Sequence, residues 1–218
     1  MNTRTLAEIP ESRINDWRSM MPYIRPVITN PYYESPIWIE DDVTRKEFIC
    51  LSSDSTVEEV ELFLILLFGF NNIDPKLSFT ESFNEILNEE SVAISGGIAF
   101  FEDENNYIIP SCCSGLEDWE DLEESVVNRS SPWLGHDPSP GITYQSDHLF
   151  VWPDDPNESN NNLISIKFTI EEMLENIKEV RADLKEFIQQ PLFQWIKLRD
   201  VDIAARMSEK MIQWFIKN

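Results

Sequence analysis

Hydrophobic positions along the chain change period several times, and the changes divide it into elements. In the last third, Ile170, Met173, Leu174, Ile177, Val180, Leu184, Phe187 and Ile188 recur at helical spacing behind the capping box Thr169-Ile-Glu-Glu172. This predicts a long amphipathic helix. Pro191 is expected to break it, and Leu192–Leu198 to add a short helical turn. Asp200 then caps a last helix with Ala204, Met207, Met211, Trp214 and Phe215 inward. Residues 169–218 thus read as helical.

Upstream, Ser55-Thr-Val-Glu58 reads as a capping box opening a helix through Phe68, apolar nearly all round and stopped by Gly69. A helix without a polar face is a buried one, although a buried strand over Leu62–Phe68 fits the same run. A second, amphipathic helix is expected near Thr80–Asn88. Strand signals lie between the helices. Val92–Phe101 and Tyr107–Ile109 flank the polar loop Glu102–Asn106 and predict a hairpin. Ile142–Tyr144 and His148–Trp152 predict another, with Leu149 and Val151 opposite His148, Phe150 and Trp152. Leu163–Phe168, Glu47–Leu51 and Ile37–Glu40 are shorter extended candidates. Residues 1–35 carry four prolines and weak periodicity, and read as an irregular lead-in with a short helix around Arg13–Met20.

Between the hairpins, Ser114-Gly-Leu-Glu117 reads as a further capping box. Its helix would turn Leu116, Trp119, Leu122 and Val126 inward and carry Glu117, Asp118, Glu120, Asp121, Glu123 and Glu124 on an acidic outer face. The whole pattern predicts one α+β domain over 1–218: a small, mainly antiparallel sheet built on two hairpins, with helices packed on one face.

Charge narrows the choice of partner. The formal net charge is −23, and residues 61–160 hold 20 acidic against 2 basic side chains, Lys76 and Arg129. Such a field opposes nucleic acid and anionic membrane surfaces and favours a basic protein. The N-terminus lacks an apolar signal core, no apolar run approaches a membrane span, and three cysteines form no disulfide framework; a reducing cytoplasm is the expected setting.

Rare residues crowd into Gly96–Trp152, which holds five of the six glycines, both histidines and two of the three cysteines. Cys112, Cys113, His136 and His148 are four soft donors that could hold zinc, but adjacent cysteines in a strand diverge and lack the usual spacing. Cys113, just before a helix N-terminus, is a candidate nucleophile if the fold brings a histidine to it. Pro153–Glu158 is acidic enough to draw calcium but matches no EF-hand loop. There is no phosphate-binding glycine loop, nucleophile elbow or His-Glu-x-x-His, and the sequence calls for no cofactor. Proline-pinned loops, Trp133 and the acidic helix face are what an interface for a basic protein contains. The candidate contacts are Trp133, His136, Asp137, Glu117, Asp118, Glu120, Asp121 and Glu124.

Pro110, Cys112, Cys113, Gly115, Leu116, Glu117 and Trp119, followed by Pro132-Trp-Leu-Gly-His-Asp-Pro138, resemble segments of a group of largely uncharacterised bacterial proteins. The resemblance covers about a quarter of the chain and carries no settled activity. Small acidic α+β proteins of this kind are also similar to bacterial immunity proteins, which implies a non-enzymatic inhibitor of a basic toxin or nuclease. The alternative is a zinc-dependent enzyme or zinc-stabilised module.

Overall fold

The computed structural model describes residues 21–39, 43–156 and 163–216. The expected helix at Arg13–Met20 lies outside them. Strands β1 (Tyr23–Thr29), β2 (Phe48–Cys50), β3 (Gly96–Phe101) and β4 (Tyr107–Ile108) form an antiparallel sheet in the order β2-β1-β3-β4. Strands β5 (Gly141–Gln145), β6 (His148–Trp152) and β7 (Ile166–Thr169) form a second, separate antiparallel sheet. The two expected hairpins are present, but each belongs to its own sheet.

The lead-in is a correction. Tyr23–Thr29 is an inner strand, paired with β3 from Tyr23 to Ile28 and with β2 from Val27 to Thr29. Pro26 argues against an inner strand because it has no N–H to give. Here its carbonyl still accepts from Leu51 N at 2.9 Å. Ile37–Glu40 is also not a strand where described: Ile37 and Trp38 form a turn, with Ile37 exposed and Ile39 buried.

Helix α1 (Val57–Phe70) buries every residue from Val60 to Phe68, as its apolar run requires. Each large apolar side chain buried this way contributes about 1.5–3 kcal/mol. Its capping box is Thr56 with Glu59, one residue later than Ser55 with Glu58. Gly69 does not stop the helix. It admits Tyr33, whose Cγ would lie 2.3 Å from a Cβ at that position. Glu61 is buried within this helix and accepts from Trp195 Nε1 at 3.1 Å.

Helix α2 (Phe79–Leu87) follows, capped by Ser78 with Glu81. The helix expected from Ser114 is divided. Leu116–Asp118 is a 3₁₀ turn with no side-chain cap, and α3 begins at Asp121 and ends at Asn128. The Thr169–Glu172 box opens α4 (Ile170–Phe187) as expected. Pro191 interrupts the α-helical geometry without ending the helical run: it sits in a π-helical turn, Ile188–Leu192, that leads into α5 (Phe193–Lys197). A π turn leaves room for a residue that lacks an N–H. Asp200 caps α6 (Val201–Phe215) through Asp202 N and Ile203 N. Side chains of both sheets and the helices meet in one continuous apolar core, Ile98, Leu149 and Met207 among them. No helix among the described residues is long and apolar enough to cross a membrane.

Candidate functional site

The β3–β4 hairpin delivers Pro110 to a tight turn that carries both cysteines. Ser114 N bonds back to Ser111 O at 3.2 Å, and Cys113 sits in the left-handed region at φ 67°. That reversal replaces the strand geometry in which neighbouring side chains diverge. The Sγ atoms of Cys112 and Cys113 instead lie 3.4 Å apart, both exposed.

A second loop, Pro132–Pro138, is laid alongside. Ser111 N donates to Leu134 O at 2.8 Å and His136 N to Cys112 O at 3.1 Å, a one-rung antiparallel bridge between Cys112 and His136. Gly135 makes this approach possible. Its φ is 101°, and a Cβ there would stand 2.6 Å from the Ser111 carbonyl carbon. Trp133 Nε1 donates to Cys113 O at 3.3 Å, and its ring centroid lies 6.1 Å from that of His136. Trp133 nevertheless remains 63% exposed.

The outcome is a cluster. Cys112, Cys113 and His136 each bring a ligand atom to within 4.8 Å of the others, the one such group among the described residues. Behind it, Asp137 Oδ2 lies 2.9 Å from His136 Nδ1. His148 is not part of the group. It opens β6 opposite Gln145 and Thr169, and its Nδ1 meets Asp147 Oδ1 at 2.7 Å.

Charge is polarised inside the cluster. The bond with Cys112 and then the His136 imidazole hold the Cys113 thiol below its ordinary value, while Cys113 pushes Cys112 up. Asp137 first, then Cys113, raises His136. Both neighbours that lower Cys113 belong to the cluster, and the helix start expected just after it is a 3₁₀ turn beginning at Leu116. The two thiols also line a cleft of about 840 Å³, with Glu47, Ser95, Tyr107 and Asp118 among its other walls.

The acidic face is less uniform than its sequence. Glu117 accepts from Ile94 N at 3.0 Å and so fastens the 3₁₀ turn to the strand entry. Glu120 meets Arg181 Nη1 at 2.6 Å with its side chain only 14% exposed, and Glu123 is 3.7 Å from the same guanidinium. Arg181 lies over the Trp119 ring, and Trp119 is core, donating to Phe215 O at 2.6 Å. Asp118, Asp121, Glu124 and Asp137 are exposed. Trp152 is half-buried and donates to Thr143 Oγ1 at 2.9 Å. Asp154, in the acidic Pro153–Glu158 segment, accepts from Ser139 N and Asp155 N, both at 2.9 Å.

No family model, curated protein or solved structure matches this chain.

Proposed function

We propose that the chain is a metal-binding module that takes one soft divalent ion of the zinc class on Cys112, Cys113 and His136. The observation that carries this reading is the convergence of two sulfurs and one imidazole from two loops, with ligand atoms within 4.8 Å of one another. Zinc–sulfur bonds of about 2.3 Å in a tetrahedron set the sulfurs about 3.8 Å apart, and the observed 3.4 Å needs an adjustment of only a few tenths. Asp137 on Nδ1 leaves Nε2 for the metal, the carboxylate–histidine support that such sites use. Three protein ligands leave a fourth position for water or an incoming donor. The ion would lock the Pro110–Ser114 turn to the Pro132–Pro138 loop. Cobalt titration tests it: a thiolate charge-transfer band saturating at one equivalent, and lost in Cys113→Ser and His136→Ala, is expected. A band absent from the wild-type chain overturns the reading.

A second reading, recognition of a basic protein, is favoured by Trp133. A tryptophan 63% exposed, in a loop that also exposes Asp137, is a ready anchor for a cationic surface. The test is capture of a basic partner from the native host that weakens in high salt and with Trp133→Ala.

A further inference from the structure

We propose that Cys112 and Cys113 are an oxidation site at which a hydroperoxide closes a disulfide between the two neighbours and thereby discharges the metal. The closing of the bond stands on the turn alone; the discharge rests on the metal reading above.

The geometry sets the two sulfurs 3.4 Å apart in one turn, exposed to solvent and lining the cleft. A disulfide needs about 2.05 Å, so the closing movement is a little over an ångström between two exposed side chains. Cys50 has neither feature. It lies in β2, packs against Val27, Ala99 and Phe101, and burial pushes its thiol up to about 11. The chain therefore contains its own unreactive control.

The chemistry balances with a hydroperoxide as oxidant. One cysteine sulfur attacks a peroxide oxygen, the O–O bond breaks, the alcohol (water, for hydrogen peroxide) leaves, and a sulfenic acid forms. The neighbouring thiol sulfur attacks that sulfur. The S–S bond forms, the S–O bond breaks, and water leaves with the hydroxyl and a proton; in the metal-free chain the two thiols supply the protons for the alcohol and the water, and where zinc holds the sulfurs as thiolates solvent supplies them. Two electrons pass from the sulfurs to the peroxide, and the metal keeps its charge. A resolving thiol held in the same turn intercepts the sulfenic acid before further oxygen is added. With both sulfurs joined, His136 alone remains as a ligand, and one imidazole does not retain zinc.

Adjacent Cα atoms are about 3.8 Å apart, nearer than the usual 4.4–6.8 Å of disulfide partners, so such a bond is strained and easily reduced. The site is therefore reversible, and a dithiol should restore both thiols and metal binding.

The experiment exposes metal-free and zinc-loaded full-length protein to hydrogen peroxide. It reads intact mass, non-reducing peptide maps and zinc captured by a chromogenic chelator. The metal-free protein is expected to lose two hydrogens, with the link mapped to Cys112–Cys113 and Cys50 unmodified. The loaded protein is expected to release one zinc per disulfide, and dithiothreitol to reverse both. In Cys113→Ser, Cys112 is expected to gain oxygens and form no intramolecular link. Oxygen addition to the wild-type chain without a link, or a link to Cys50 or to a second chain, overturns the proposal. A metal-free chain that closes the bond while zinc never binds refutes the metal reading and the discharge step but leaves the oxidation site standing. Zinc that stays bound to the disulfide form overturns the discharge.

Discussion

Asp137 Oδ2 lies 2.9 Å from Nδ1 of His136, its immediate neighbour in the chain. The residues on either side of His136, Gly135 and Asp137, both adopt positive φ, at 101° and 57°. With Nδ1 engaged by Asp137, Nε2 is the nitrogen that the metal reading assigns to the ion. Asp137→Asn keeps the shape and removes the charge. Losses of roughly 10–100-fold follow removal of such supporting groups, and the zinc affinity of the variant should fall within that range. Competition against a chromogenic chelator measures it.

The same contact has a pH signature in the metal-free protein. His136 is raised by Asp137 and then by Cys113. A raised folded value means that its contribution to stability is complete below the unfolded value of about 6.5 and is lost as pH rises through the folded value. NMR titration should place His136 above its unfolded value, and Asp137→Asn should bring it down. An unchanged midpoint in the variant contradicts the assignment.

Gly135 is the narrowest point of the loop pair. A Cβ there would stand 2.6 Å from Ser111 C and 2.8 Å from Cys112 O, at a φ of 101°. Gly135→Ala should destabilise the chain by about 1–3 kcal/mol, read as a shift in the urea midpoint. It should also abolish metal binding, because the loop carrying His136 is forced off the turn carrying the cysteines.

Arg181 couples the acidic segment to α4. Its guanidinium sits over Trp119 and pairs with the nearly buried Glu120 at 2.6 Å. Arg181→Ala leaves that carboxylate without its counter-charge, and a loss of about 1–3 kcal/mol is expected. Adding Glu120→Gln should recover part of it, as a double-mutant cycle by chemical denaturation would report.

Much of the fold was legible in the sequence because local rules and burial agree there. Thr169 with Glu172, and Asp200, cap the helices expected of them, and β6 alternates as its residues do. The failures have physical causes. Pro26 concealed β1, because an inner strand with a proline depends on pairing partners some twenty and seventy residues further on. Ser114-Gly-Leu-Glu117 has the spacing of a cap, yet Glu117 is drawn to the Ile94 N–H, a partner no local window contains.

The candidate site was half legible. Its residues stood out by rarity, and three of the four soft donors do meet. Their convergence depends on the left-handed Cys113 and on Gly135, neither of which periodicity reveals. Residue type alone groups His148 with them, and in the fold it lies with Asp147 instead. The sequence presents the acidic face as one surface, whereas Glu117 and Glu120 are committed to partners within the chain.

The most direct test of the central claim is elemental analysis of the chain purified without a tag or chelator, beside Cys112→Ser and Cys113→Ser. One equivalent of zinc in the wild type and little or none in either variant is the expected result. A metal-free wild type, or equal zinc in all three, would contradict a metal centre at Cys112, Cys113 and His136.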